Sequence, residues 1–144
     1  MIWVLDASVA LRWFLKDESH PNADAVLDRL VEAPERFAVP ELFAFEVLAV
    51  LHRLHPAANR VFRKGVIPIL NGGLLRQPMT RKLADDANHF VVMGLTACDA
   101  CYAALAHDLK ATWLTFDRRA HQHIAAEAVS HLLSECLPQD WDEK

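Results

Sequence analysis

The chain has no surplus of positive charge, no long apolar run, no exported cysteine pattern and no repeat, and each shortage excludes a class of protein. Lys and Arg number 15 against 19 Asp and Glu, a formal charge of −4. That is no basic footprint for nucleic acid, so any such binding must rest on a local patch or a bound cation. No uncharged apolar run approaches the ~20 residues of a membrane span. Met1 to Lys16 is apolar, but it lacks a basic leader and is interrupted by Asp6 and Arg12, so no signal peptide is expected. The 3 cysteines, an odd number, point to a reducing cytoplasm. No repeat, low-complexity segment or linker divides the 144 residues. The expectation is one domain over 1–144, with the polar tail Gln139 to Lys144 frayed. A chain of this size buries roughly two-thirds of its surface, and an apolar content of 53% is enough to fill that core.

What is present alternates between two patterns. Ile2 to Leu5 is a short buried strand that runs into Asp6, and Val9, Trp13 and Phe14 then take helical spacing. A second helix opens at Pro21, with Ala23, Val26, Leu27, Leu30 and Val31 on its apolar face, and Pro34 closes it. Phe37 to Val39 reads as a strand, and Glu41 to His55 as a helix stopped by Pro56. Within residues 57 to 78, the least readable part, Ala57 to Lys64 is compatible with a helix, but Gly65, Pro68, Asn71-Gly72-Gly73 and Pro78 break the pattern repeatedly. Helical spacing returns from Thr80 to a stop at Gly94, and again from Ala97 to Leu109. Thr112 to Phe116 reads as a strand ending in Asp117, followed by a helix through about Ala126 and a last strand at Val129 to Leu133. Strands alternating with helices imply an α/β fold of three layers, a parallel sheet between helices.

Four carboxylates stand out against this pattern. Asp6 and Asp117 each end a strand and open a helix, the place of an N-cap. Asp99 lies at the acidic position of Thr96-Ala-Cys-Asp99, the spacing of a capping box. Glu46 has Leu42, Phe43, Ala49 and Val50 as helical neighbours, and an unpaired buried glutamate is costly. It is therefore either a ligand or catalytic group, or the partner of a core arginine such as Arg12. Taken one at a time, the first three are caps. Parallel strands share one C-terminal edge, however, so Asp6 and Asp117 must approach each other in the crevice where such sheets bind ligands. Carboxylates gathered there repel unless protonated or bridged by a cation, and an all-oxygen set suits Mg²⁺ or Mn²⁺ rather than zinc.

Four segments together resemble the PIN-domain ribonucleases, most closely the VapC-type toxins of bacterial toxin–antitoxin pairs. They are Val4-Leu-Asp-Ala-Ser-Val9, Val39-Pro-Glu-Leu-Phe-Ala-Phe-Glu46, Thr96-Ala-Cys-Asp-Ala100 with its continuation to Ala106, and Leu114-Thr-Phe-Asp-Arg-Arg119. The resemblance implies a sheet of about five parallel strands in the order 3-2-1-4-5. It implies that Asp6, Glu46, Asp99 and Asp117 form an acidic quartet holding Mg²⁺ or Mn²⁺ for hydrolysis of RNA phosphodiester bonds. Ser8 and Thr115 match the family's supporting hydroxyls. The resemblance further implies an antitoxin that closes the acidic crevice, within a homodimer or a toxin–antitoxin hetero-oligomer. Arg12, Arg118 and Arg119 adjoin the quartet in sequence and are candidates for RNA phosphate contacts. Arg53, Arg60, Arg63 and Lys64 form a further basic run that reads equally well as a solvated helix face.

Rival readings have specific shortfalls. A receiver-type phosphorylation switch would carry paired acids after its first strand, and here Asp6 stands alone. A non-catalytic PIN-like interaction module would not need all four acids. Cys98-Asp-Ala-Cys101 has no second cysteine pair to complete a zinc site. His121 and His123 point about 200° apart on a helix.

Overall fold

The computed structural model describes residues 1–143, and its centre is a five-stranded, wholly parallel sheet in the order β3-β2-β1-β4-β5. The strands are β1 (Trp3–Leu5), β2 (Phe37–Pro40), β3 (Leu75–Gln77), β4 (Thr112–Thr115) and β5 (Ser130–Leu132). Helices on both faces complete the three layers. They are α1 (Ala7–Phe14), α2 (Pro21–Glu32), α3 (Leu42–Leu54), α4 (Ala58–Val61), α5 (Ile67–Leu70), α6 (Arg81–Val92), α7 (Ala97–Leu109) and α8 (Arg118–Ile124). Every residue of β1 and β2 is buried, as expected of strands covered on both sides, which therefore read as continuous apolar runs rather than alternations. The register pairs Trp3 with Phe37 on one side and with Thr112 on the other, so Asp6 emerges alongside the end of β4.

Helix α7 lies against the sheet, touching β1, β2 and β4. Its seven consecutive residues from Ala100 to Ala106 are all buried, and four of them are alanines, which lets the backbone come close to the strands. Among the described residues no single helix is long and apolar enough to cross a membrane.

Three features differ from the sequence-based expectation. The span 57 to 78 is structured: α4 passes through a π-helical turn at Phe62–Val66 into α5, and β3 follows. Gly65 belongs to the packing there, because a Cβ at that position would lie 2.6 Å from Cε1 of Phe14. Strand β3 escapes periodicity because it is an edge strand with Leu75 and Arg76 exposed; Arg76 is held by Glu41 at 3.0 and 3.2 Å. Finally, the expected frayed tail is anchored. Trp141 is 6% exposed, with its ring 5.4 Å from Trp3 and 6.4 Å from Phe37, and the Arg29 guanidinium 5.2 Å above it. A lone aromatic among acids has no periodicity, yet burying an indole releases enough apolar surface to hold the segment down. Lys144 lies outside the described residues.

Candidate active site

The local folding of the site begins with caps. Asp6 is the N-cap of α1 and accepts from the Ser8 amide at 2.9 Å, and Asp117 is the N-cap of α8 and accepts from the Ala120 amide at 3.0 Å. At α7 the cap is Thr96, whose hydroxyl accepts from the Asp99 amide at 3.1 Å and also favours the ionised Asp99 carboxylate.

Asp6 does far more than cap. Its Oδ1 also accepts from the Ser8 hydroxyl, and its Oδ2 accepts from the Thr115 hydroxyl at 2.5 Å and from Trp113 Nε1 at 2.9 Å. Those four donors match the roughly four lone-pair positions of a carboxylate. The two hydroxyls in turn accept amides, Ser8 from Phe116 at 3.0 Å across the β1–β4 boundary and Thr115 from Asp117 at 3.0 Å in the turn that leaves β4. Burial nevertheless wins over these donors and lifts the Asp6 carboxyl to about 6, with the Asp99 charge adding to the rise.

Glu46 projects from α3 into the same region, half-buried. Its Oε1 accepts from the Tyr102 hydroxyl at 2.5 Å, and not from Arg12. Arg12 instead donates to the Glu18 carbonyl at 3.0 Å and lies 4.0 Å over the Phe116 ring. Burial raises the Glu46 carboxyl, and Asp99 raises it further against the pull of Tyr102. Asp99 is itself raised, first by burial and then by Asp117. Asp99 is thus the charge the other three share, coupled to Asp6, Glu46 and Asp117. Burial, with Glu46 and Asp6 beside it, pushes the Tyr102 phenol well above its ordinary range, so it remains a donor.

Asp99 and Asp117 line an open cleft of about 330 Å³, together with Gly94, Thr96, Arg119 and His123. Of the three arginines expected beside the quartet, Arg119 reaches this cleft. Arg118 is drawn off to Glu135 at 3.0 Å, and Arg12 is engaged as described. Sequence reasoning weighed His123 with His121 as a metal pair and set both aside; of the two, His123 alone lines the cleft, and its Nδ1 lies 2.8 Å from the Arg119 carbonyl one helical turn earlier. Sequence reasoning missed Tyr102 and Trp113. The available signals were the one tyrosine of the chain, three residues after Asp99, and a tryptophan two residues before Thr115 on the same strand face.

A chain belonging to a known family would carry this arrangement in a recognisable sequence frame, and a family model described as the PIN domain matches residues 3–127. The chain belongs to the PIN-domain family. The receiver reading is thereby set aside. Solved structures share the PIN fold. FitAcB from Neisseria gonorrhoeae superposes with a TM-score of 0.70 at 19% identity, over 94% of this chain and 100% of the other. A toxin–antitoxin complex from Klebsiella pneumoniae gives 0.66 at 12% identity, over 89% and 94%. A Pyrobaculum aerophilum protein gives 0.59 at 23% identity, over 85% and 84%. No curated protein sequence matches the chain.

The donor set of this PIN domain fits a hard divalent cation, since it offers only carboxylate oxygens and burial with mutual repulsion makes those oxygens seek positive charge. Oε2 of Glu46 and Oδ2 of Asp117 accept no hydrogen bond from the described residues, and Asp99 has only the Thr96 hydroxyl beside it, whereas Asp6 must turn a hydroxyl aside to bind a cation. Elsewhere, Asp86, His107 and Asp108 bring ligand atoms within 4.8 Å of one another, closer than the quartet does. The Lys82 ammonium already lies 2.8 Å from both of those aspartates and supplies the cation there. The cysteines offer no rival centre: Cys98, Cys101 and Cys136 are free, and burial raises the first two thiols away from the thiolate.

Proposed function

We propose that this PIN domain is a metal-dependent endoribonuclease and the toxin of a toxin–antitoxin pair. The observation that carries the reading is the cleft in which Asp99 and Asp117 face Arg119 and His123, with Asp6 and Glu46 coupled to Asp99 behind them. PIN domains are generally nucleases, and that membership supports phosphodiester chemistry. Asp99, Asp117, Glu46 and Asp6 would hold Mg²⁺ or Mn²⁺, which when bound lowers the pKa of water and neutralises charge on the phosphate oxygens.

The remaining work falls to the chain. Arg119 offers a fixed positive charge to a phosphate at the cleft wall, and Arg12 and Arg118 contact phosphates only if released from Glu18 and Glu135. Glu46, with a carboxyl raised by burial, orients the attacking water and takes its proton. Ser8 and Thr115 keep Asp6 in place through its two oxygens. RNA is favoured as substrate by the family resemblance in the four motif segments. An antitoxin partner, within a homodimer or hetero-oligomer, is favoured by the fold shared with the Klebsiella pneumoniae complex. It also agrees with apolar residues on the outer side of α3, where Phe45 is 68% exposed. Three free cysteines fit the reducing cytoplasm as the place of action.

The test is purified protein on total RNA with Mg²⁺, with Mn²⁺ and with EDTA. Cleavage that EDTA stops, and that Asp99→Asn lowers at least a hundredfold while the protein stays folded, is the expected result. Cleavage indifferent to both, or none with either metal, would sink the enzyme reading and leave a non-catalytic interaction module.

A further inference from the structure

The carboxylates of Asp6 and Glu46 are each held by an aromatic side chain, and those two side chains are stacked on each other. The Tyr102 and Trp113 rings lie 6.0 Å apart and 15° from parallel. Tyr102 is 1% exposed and Trp113 0%, so neither ring has room to turn. Tyr102 comes from the middle of α7 and Trp113 from β4, so the pair bridges a helix and the sheet.

We propose that Tyr102 and Trp113 are positioning residues for the divalent cation, a stacked pair whose polar ends hold Glu46 and Asp6 in the arrangement that binds it. The inference rests on the metal-site reading above and deepens it.

Buried phenols and indoles commonly find some acceptor, so a hydrogen bond alone would mean little. The choice of acceptor is what matters. Trp13, partly buried against the core, donates its Nε1 to the Ala23 backbone carbonyl at 2.7 Å, the ordinary solution. Trp113 and Tyr102 both donate to site carboxylates instead. Hydrogen bonds to ionised acceptors are about twice as strong as neutral ones. The other partners of Asp6 are hydroxyls, free to rotate, and one amide. The indole N–H has no such freedom. Two carboxylates that both feel Asp99 would swing apart if released, and the cost of drawing them together would then fall on cation binding.

The experiment measures Mn²⁺ binding by calorimetry on the full chain, with melting temperature recorded for every variant. Tyr102→Phe keeps the ring and removes one hydroxyl. Trp113→Phe removes the indole N–H and reads the Asp6 end independently, so either variant alone decides. Leu105→Val, buried on the same helix but outside the hydrogen-bond network, supplies a comparable loss of stability. Tyr102→Phe and Trp113→Phe are each expected to weaken Mn²⁺ binding roughly ten- to a hundredfold, while Leu105→Val binds as wild type does. Wild-type affinity in the aromatic variants, or equal weakening in Leu105→Val, overturns the proposal. Asp6→Asn separates the two levels: if it abolishes binding while the aromatic variants do not, only the positioning role falls. If the wild-type protein binds no Mn²⁺, the metal-site reading falls and this inference with it.

Discussion

Asp6 shows two opposing forces at one residue. Four donors stabilise its ionised form, and complete burial opposes that form and prevails, setting the carboxyl at about 6 against an ordinary 3.8. A carboxyl raised on folding favours the folded state while protonated. Its contribution is therefore fully present below about pH 4 and lost as pH rises to 6, on the order of 3 kcal/mol in all. Asp6→Asn cannot titrate. The difference in unfolding free energy between wild type and Asp6→Asn, measured in urea without metal, should move against the wild type from pH 4 to 6 and then level off. A difference constant across that range would show that burial does not raise this carboxyl. The same residue explains why cap and ligand were poor alternatives in the sequence. Capping uses Oδ1 against one amide and leaves Oδ2 for Trp113 and Thr115.

At the scale of the element, two helix ends are held in the left-handed region, one at the cleft and one at the far end of α7. Helix α6 stops at Gly94, whose φ of +112° lies outside what an L-residue adopts comfortably, and a Cβ there would come 2.7 Å from His123 Cδ2. Gly94→Ala should cost about 1–3 kcal/mol and displace the imidazole from the cleft, which the His123 ring resonances in NMR would report. An unshifted resonance would mean that the backbone, not the side chain, gives way. Helix α7 stops at Lys110 with φ +51°, in the left-handed region, and the Ala111 amide closes back on the Ala106 carbonyl at 2.8 Å. A lysine pays for this conformation where glycine would not. Lys110→Gly should raise stability by about 0.5–1 kcal/mol in urea unfolding, and a loss would show that the lysine side chain contributes more than its backbone costs. The Gly94 stop was legible because glycine after a helical stripe is a chemical signal, whereas Lys110 carries none. Strand β3 was illegible for a related reason: an edge position leaves its side chains in water, so no apolar run marks it.

For the molecule as a whole, the two ends of the sheet do different work. The carboxyl ends of β1 and β4 gather the acids, while the opposite end is closed by Trp141 packing on Trp3 and Phe37. Trp141→Ala should cost roughly 3–5 kcal/mol and lower the melting temperature on the order of 10 °C, while leaving Mn²⁺ affinity unchanged because the site lies at the other end. A loss within 1 °C would restore the frayed tail expected from composition. By itself the sequence determined the α/β class, most element positions and the quartet as candidates, since strand ends, helix caps and apolar periodicity are local properties of the chain. Its resemblance to the family supplied the strand order, which the sheet bears out. Only the tertiary structure decided which partners those groups take. It sent Arg12 to Glu18 and Glu46 to Tyr102, left Arg119 rather than Arg118 in the cleft, and stacked Tyr102 on Trp113. Each of those contacts joins segments whose meeting is set by packing of the whole core, and no local pattern encodes which buried donor will face which acceptor.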